Sequence, residues 1–321
     1  MTFAGSPDRV EARLVPELGY EFDAFAVSGL PRRPSVELVR AAGRAAAAPF
    51  ACLRILRSRR PDAVLGAGGY VAGPMVLAAR LEGIPSALSE ADAHLGLANR
   101  LAAPLAERVF LALPLGLHGE KYRAVGRPIP AASRPVEREK ARTRLGLTAD
   151  ARVVLVFGGS LGARLLNDLA LEAWGDEGPA VIHLCGERDY PELLGRASRP
   201  DYILEPFMDE IGVAYGAADV TLARAGGSVW ELAAAGLPAV LVPGAFATGD
   251  HQEKNARWFA DAGGAVVVPE AEAARAPGVV EKLLDEDDRL AGMAAAMRAV
   301  ARPDAAEEIA DELVSLAAAR R

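Results

Sequence analysis

Cysteine, histidine and aromatic residues are all scarce in this chain: two Cys, four His and 6% aromatics among 321 residues. Two thiols, Cys52 and Cys185, far apart and in no metal-ligand spacing, exclude a disulfide framework and fit a reducing cytoplasm. Positive charge is short as well. Lys and Arg number 36 against 43 Asp and Glu, a net charge of −7, which argues against general affinity for nucleic acid. An anionic partner must therefore be met by a local patch. Long apolar runs are missing too. The longest uncharged stretch, 232–249, is cut by Pro238, Pro243 and several glycines, so it reads as strand and loop, not as a membrane span. The first eight residues lack the pattern of a signal peptide. What remains is a chain 51% hydrophobic, long enough for two domains that each build a core.

The most informative stretch is 219–255. Val220 to Ala223 is a short apolar run of strand type that enters Gly226, Gly227 and Ser228. Residues 228–235 have helical composition and stop at Gly236, ahead of Pro238. A second strand, 239–242, leads into a loop that delivers His251 and Gln252 to the next helix. A strand, a Gly-Gly-Ser turn and a helix present free backbone N–H groups to an anion such as a diphosphate. Glu231, in the first helical turn, is placed to accept hydrogen bonds from a ribose diol. A plain strand–turn–helix unit of an α/β protein would look the same.

Residues 126–130, Gly-Arg-Pro-Ile-Pro, are stiff and non-helical and read as a linker, dividing the chain into domains 1–130 and 131–321. After a charged helix at 136–145, the apolar strand 153–157 meets Gly158, Gly159, Ser160, Leu161 and Gly162, a second glycine loop. Strand-type runs at 181–184, 202–204, 220–223, 239–242 and 265–268 alternate with helices, which predicts a parallel sheet. The tail, 304–321, is a helix with Ile309, Leu313 and Leu316 on one face.

In the first half, strands are expected at 2–4 and 22–27. Residues 31–60 carry Arg32, Arg33, Arg40, Arg44, Arg54, Arg57, Arg59 and Arg60 against one acid, Glu37, interleaved with apolar residues such as Phe50. That pattern suits an anionic membrane surface, or an ordinary helix with solvated arginines. The run 66–74, with four glycines and Tyr70, reads as a loop before a helix at 75–81. The strand 85–88 ends in Ser89, Glu90, Ala91, Asp92, Ala93 and His94.

The order Gly-Ala-Gly-Gly-Tyr-Val-Ala-Gly-Pro, Val-Gly-Arg-Pro, Phe-Gly-Gly-Ser-Leu-Gly-Ala-Arg, Arg-Ala-Gly-Gly-Ser-Val-Trp-Glu and Asp-His-Gln-Glu-Lys-Asn-Ala resembles the MurG family of peptidoglycan N-acetylglucosaminyltransferases over essentially the whole chain. The resemblance implies an α/β GT-B fold: two Rossmann-like domains with parallel sheets facing a cleft, the last helix packing back on the first domain. It implies inverting transfer of N-acetylglucosamine from UDP-N-acetylglucosamine to lipid I, giving lipid II, at the cytoplasmic face of the cell membrane. No cofactor, metal or nucleic acid is implied. Glu231 would hold the ribose, Gly226, Gly227 and Ser228 the diphosphate, and Gly159 and Ser160 the donor phosphates or sugar, with Arg224 beside them. Met208 would meet the uracil edge, His251 and Gln252 the sugar hydroxyls, and Tyr70 the acceptor side.

The sequence also departs from the family. Its first strand, glycine-rich acceptor loop ending in His, and following helix have no counterpart ahead of Thr2, so a coding sequence starting roughly 30 residues earlier is expected. The acceptor-side motif His-Glu-Gln-Asn stands here as Ser89-Glu90-Ala91-Asp92, leaving Glu90 and Asp92 as the acids for general base. The family's Arg after Gly-x-Pro-x is Pro130. Two alternatives stay open: a GT-B transferase with another acceptor, and a UDP-sugar-binding chain that is inactive alone.

Overall fold

The computed structural model describes residues 1–27, 36–159, 162–197, 199–244 and 251–320. Arg32, Arg33 and Ser160 lie outside the described residues. The chain forms two compact units, one of Met1–Gly126 with Asp304–Arg321, the other of Arg127–Pro303.

The first unit begins with β1 (Thr2–Gly5), α1 (Glu11–Glu17) and β2 (Glu21–Ala24), and the two strands pair in parallel as a sheet of their own. Then follow α2 (Val36–Arg59), β3 (Val64–Gly66), α3 (Gly69–Leu81), β4 (Ser86–Glu90), α4 (Leu97–Ala102), β5 (Arg108–Leu111) and β6 (Tyr122–Ala124). Strands β3 to β6 form a parallel sheet in chain order. Among the described residues, one edge of β1 and one of β3 therefore have no strand partner. Phe25, Cys52, Leu56, Val64, Met75 and Ile84 are buried together between α2, α3 and these strands.

One sequence expectation is corrected here. Residues 69–74 are the first turns of α3, so Tyr70 is helical and 58% exposed, and the helix does not wait for Met75. Gly68 and Gly69, at φ of +92° and +67°, turn the chain into the helix. Pro74 lies inside the helix, past its first turn, and takes one N–H out of the helical ladder. Gly66 has a packing role: a Cβ there would lie 2.8 Å from Leu88 Cδ2.

The second unit contains α5 (Arg138–Arg144), β7 (Val153–Phe157), α6 (Arg164–Trp174), β8 (Ala180–Leu184), α7 (Tyr190–Leu193), β9 (Tyr202–Glu205), α8 (Gly212–Ala217), β10 (Val220–Ala223), α9 (Val229–Ala235), β11 (Ala239–Leu241), α10 (His251–Asp261), β12 (Ala265–Val267), α11 (Ala276–Leu284) and α12 (Asp287–Val300). Its six strands are all parallel, in the order β12-β11-β10-β7-β8-β9. Buried on both faces, β7 and β10 read as continuous apolar runs, as central parallel strands do. The order reverses between β7 and β10, which pair with Phe157 beside Ala223 at their carboxyl ends. That switch point is where doubly wound sheets bind ligands.

The last helix, α13 (Ala305–Arg320), belongs to the first unit. Ile309 is buried with Ala87, Phe110 and Val125, and Glu312 pairs with Arg108 at 2.6 Å and Arg123 at 2.7 Å. Both cysteines are buried free thiols. Burial pushes Cys52 up to about 12 and Cys185 up to about 11, so neither is a thiolate at neutral pH.

A buried polar network ties α6 to β8, β9 and the segment after β8. His183 lies 2.8 Å from the Tyr202 hydroxyl through Nδ1 and 3.0 Å from Asn167 Oδ1 through Nε2. Asn167 donates in turn to the Cys185 carbonyl at 2.9 Å and to Asp189 at 3.0 Å. Its oxygen is thus the acceptor, Nε2 of His183 carries the proton, and the ring is neutral. Burial pushes the His183 pKa down to about 4. The unfolded chain takes up this proton near 6.5 and the folded one only near 4, so the stability from this site is complete above 6.5 and is lost as pH falls toward 4. Between pH 7.5 and 4 the wild type should lose roughly 3 kcal/mol more than His183→Gln. Urea unfolding at the two pH values measures this, and equal losses would refute the neutral, buried assignment.

Candidate functional site

The carboxyl ends of β7, β8, β9 and β10 enclose a hollow of about 260 Å³. Phe157 and Gly159 line it after β7, Phe207 and Met208 after β9, Tyr215 from α8, and Ser228 and Glu231 from the start of α9. Ser133, from the segment leading into α5, completes the wall.

The glycines of the first loop divide by role. A Cβ on Gly158 would lie 2.2 Å from that of Ala163, and one on Gly162, at φ +73°, would lie 2.2 Å from the Cys185 carbonyl oxygen. Those two close the turn. Gly159, at φ +90°, has nothing within 4 Å on that side and leaves the backbone open to the hollow. In the second turn Gly226 is likewise open, whereas Gly227 is covered by the Arg127 guanidinium.

Glu231 is held in place by two hydroxyls. Its Oε2 accepts from Ser133 Oγ at 2.7 Å and from the Tyr215 hydroxyl at 2.9 Å. Both donors are buried, at 2% and 3% exposure, so the carboxylate is oriented with Oε1 left for a ligand. Burial, and then the Glu231 charge, raises the Tyr215 pKa, so its hydroxyl remains a donor at neutral pH. Neither Ser133 nor Tyr215 was evident from sequence. They lie 98 and 16 residues from Glu231, and only the fold brings them to it.

Arg224 is engaged elsewhere. It donates to the Val242 carbonyl at 3.1 Å and to Glu270 at 3.1 Å, bracing the ends of β10 and β11. His251 opens α10, and Gln252 Oε1 accepts from the Gly244 N–H at 2.8 Å, leaving its amide nitrogen to donate. Asn255, buried, donates to the Ala225 carbonyl at 3.3 Å, and Trp230 meets Phe259 edge-on at 5.3 Å, so α10 is fixed to the turn after β10.

In the first unit, Glu90 is 7% exposed at the end of β4. Its Oε1 accepts from the Asp92 N–H at 3.3 Å, and its Oε2 from the Gly96 N–H and Asn99 Nδ2, each at 2.9 Å. Glu90 thus shapes the loop that carries Asp92 and opens α4. Asp92 is half-buried. A separate hollow of about 390 Å³ lies at the amino ends of β7, β10 and β11. Four of its five charged residues are paired with one another, Arg152 with Asp287 at 2.7 Å and Arg138 with Asp219, and the fifth, Arg298, lies against Gly236.

The described residues thus form two α/β units with parallel sheets, one with a held carboxylate at its switch point, and sequence comparison places the chain among glycosyltransferases. Residues 2–111 match the glycosyltransferase family 28 N-terminal domain and residues 153–309 the family 28 C-terminal domain. A relative in Methylococcus capsulatus is 41% identical over 316 residues, covering 95% of this chain and 87% of that one. Another, in Rubrobacter xylanophilus, is 39% identical over 323 residues, covering 98% and 95%. Both are named UDP-N-acetylglucosamine--N-acetylmuramyl-(pentapeptide) pyrophosphoryl-undecaprenol N-acetylglucosamine transferase. The crystal structure of Acinetobacter baumannii MurG matches with a TM-score of 0.75 at 28% identity, over 98% of this chain and 90% of that one. The chain belongs to the MurG family of glycosyltransferases.

Proposed function

We propose that this chain transfers N-acetylglucosamine from UDP-N-acetylglucosamine to the muramoyl sugar of lipid I, producing lipid II. The observation that carries the reading is Glu231, held by Ser133 and Tyr215 at the switch-point hollow with one oxygen left to accept from a ribose diol. The uracil would lie against Phe207 and Met208, and the diphosphate across the open glycines Gly159 and Gly226 and beside Ser228. His251 and the Gln252 amide would meet the sugar hydroxyls, and Arg224 would serve as a brace instead of a ligand contact.

In the transfer, the muramoyl 4-hydroxyl oxygen bonds to the anomeric carbon as the bond to the β-phosphate breaks. UDP leaves with the electron pair, and the hydroxyl proton passes to a base. Glu90 already accepts three N–H groups, so it serves as a positioning residue and Asp92 as the base. Tyr70, exposed on α3, would line the acceptor side. The test is synthesis of lipid II from lipid I and labelled UDP-N-acetylglucosamine. Tight UDP binding with transfer to an unrelated acceptor, and none to lipid I, would favour the other GT-B reading.

The acceptor is a lipid, and no described helix is long and apolar enough to cross a membrane. The chain would therefore reach it from the surface, as a peripheral protein on the cytoplasmic face. On α2, Phe50 is 71% exposed and Arg44 and Arg54 are exposed. Arg57 and Arg59 are committed, to Glu82 at 2.9 Å and to Asp23 at 2.8 Å. Charge reversal of Arg44 and Arg54 should therefore weaken binding to anionic vesicles, at least about fivefold per arginine at low salt, while sparing the fold. Unchanged sedimentation with vesicles would remove α2 from the membrane contact.

A further inference from the structure

Two arginines flank the turn 224–228, and they differ in what their charge meets. Arg224 is neutralised by Glu270 at 3.1 Å. Arg127, the first residue of the second unit, is half-buried and makes no ion pair or hydrogen bond among the described residues. Its guanidinium nevertheless has a defined place. A Cβ on Gly227 would lie 2.3 Å from Arg127 Cζ and Nη1 and 2.7 Å from Nη2, so the planar group lies directly over the Cα of that glycine. Glycine at 227 is therefore what admits the arginine to the turn.

Leaving a partly desolvated guanidinium without an anion wastes its interaction, because its donors are strong only toward an acceptor that carries charge. Glu231, at the start of α9, is already occupied by Ser133 and Tyr215. Gly226, beside the guanidinium, is open to a ligand. Three residues before it, the chain leaves β6; three residues after it stands Pro130, which carries no charge.

We propose that Arg127 is the cation that binds the donor's diphosphate and stabilises the departing UDP, through two N–H groups of its fork to non-bridging phosphate oxygens. The inference rests on the reading of the second unit as a UDP-sugar site. It adds the residue that supplies positive charge there. The charge on the β-phosphate grows as the bond to the anomeric carbon breaks, so Arg127 acts on turnover as well as on binding.

Calorimetry on the full chain with uridine, UMP and UDP separates the possibilities, with thermal unfolding to verify the fold of each variant. Arg127→Gln should weaken UDP about ten- to hundredfold and leave uridine unchanged, and Arg127→Lys should recover part of the loss. Higher salt should weaken UDP binding more in the wild type than in Arg127→Gln. If the wild type binds no UDP, the donor-site reading itself fails. If the wild type binds UDP and Arg127→Gln binds it equally well, or loses uridine and UDP alike, the arginine is only a packing residue and the inference is overturned.

Discussion

Replacing Glu231 by Ala is expected to weaken UDP binding by about 1.5–3 kcal/mol, the loss of charge-assisted hydrogen bonds in a partly buried site. The substitution also leaves the buried hydroxyls of Ser133 and Tyr215 without their acceptor, at about 1–3 kcal/mol of stability each. Glu231→Gln separates the two effects. It keeps an oxygen for Ser133 and Tyr215 and removes the charge, so stability should hold while affinity falls. Calorimetry with UDP and with 2′-deoxy-UDP provides the decisive comparison. In the wild type the missing hydroxyl should cost affinity, and in Glu231→Ala it should cost nothing further. Equal losses in both proteins would take the ribose away from Glu231. Tyr215→Phe, which frees the carboxylate to rotate, should show a smaller loss of UDP affinity with uracil binding intact.

A second large effect is expected at Gly216. It lies one turn after Gly212 on α8, and both press directly on the segment that enters the second unit. A Cβ on Gly216 would lie 1.9 Å from the Val136 carbonyl oxygen, and one on Gly212 would lie 2.0 Å from that of Arg134. The same contact carries a hydrogen bond from the Val136 N–H to the Gly212 carbonyl at 2.9 Å. These obstacles are backbone atoms, which cannot rotate aside. Gly216→Ala should therefore destabilise the protein by about 3 kcal/mol, at the upper end of overpacking costs. The neighbouring Tyr215 would be displaced with α8, so UDP affinity should fall in parallel. Urea unfolding that shifts by less than about 0.5 kcal/mol, the range of neutral surface changes, would contradict this packing.

The parts of the fold visible in the sequence are those where a single physical pressure acts. Val153–Phe157 and Val220–Ala223 face apolar surroundings on both sides, so an unbroken apolar run marks them as central strands. Gly236 stops α9 in the left-handed region, at φ +66°, as its place before Pro238 predicts. The start of α3 was hidden because Gly69, Gly73 and Pro74 are typical of loops, and only the packing of α3 against β3 and β4 overrides that composition. Glu231 was legible because its motif is local. Ser133 and Tyr215 were not, since hydroxyls 98 and 16 positions away, on other elements, carry no periodic signal. The glycines show the same limit: 158, 159 and 162 look equivalent in sequence, yet a Cβ would clash at two of them and meet nothing within 4 Å at Gly159.

The grouping of α13 with the first unit has a consequence for how the protein comes off the ribosome. The second unit is contiguous, Arg127–Pro303, and can complete its six-stranded sheet as soon as that span has emerged. The first unit, although made earlier, must wait. Until residues 305–320 are synthesised, Ala87, Phe110 and Val125 lack Ile309, and Arg108 and Arg123 lack Glu312. The first unit, begun first, is thus completed only once the last residues of the chain have left the ribosome. Until then the first unit is exposed to chaperones and proteases, and a chain cut short within α13 would keep every residue of its second unit while an apolar face of the first stays uncovered.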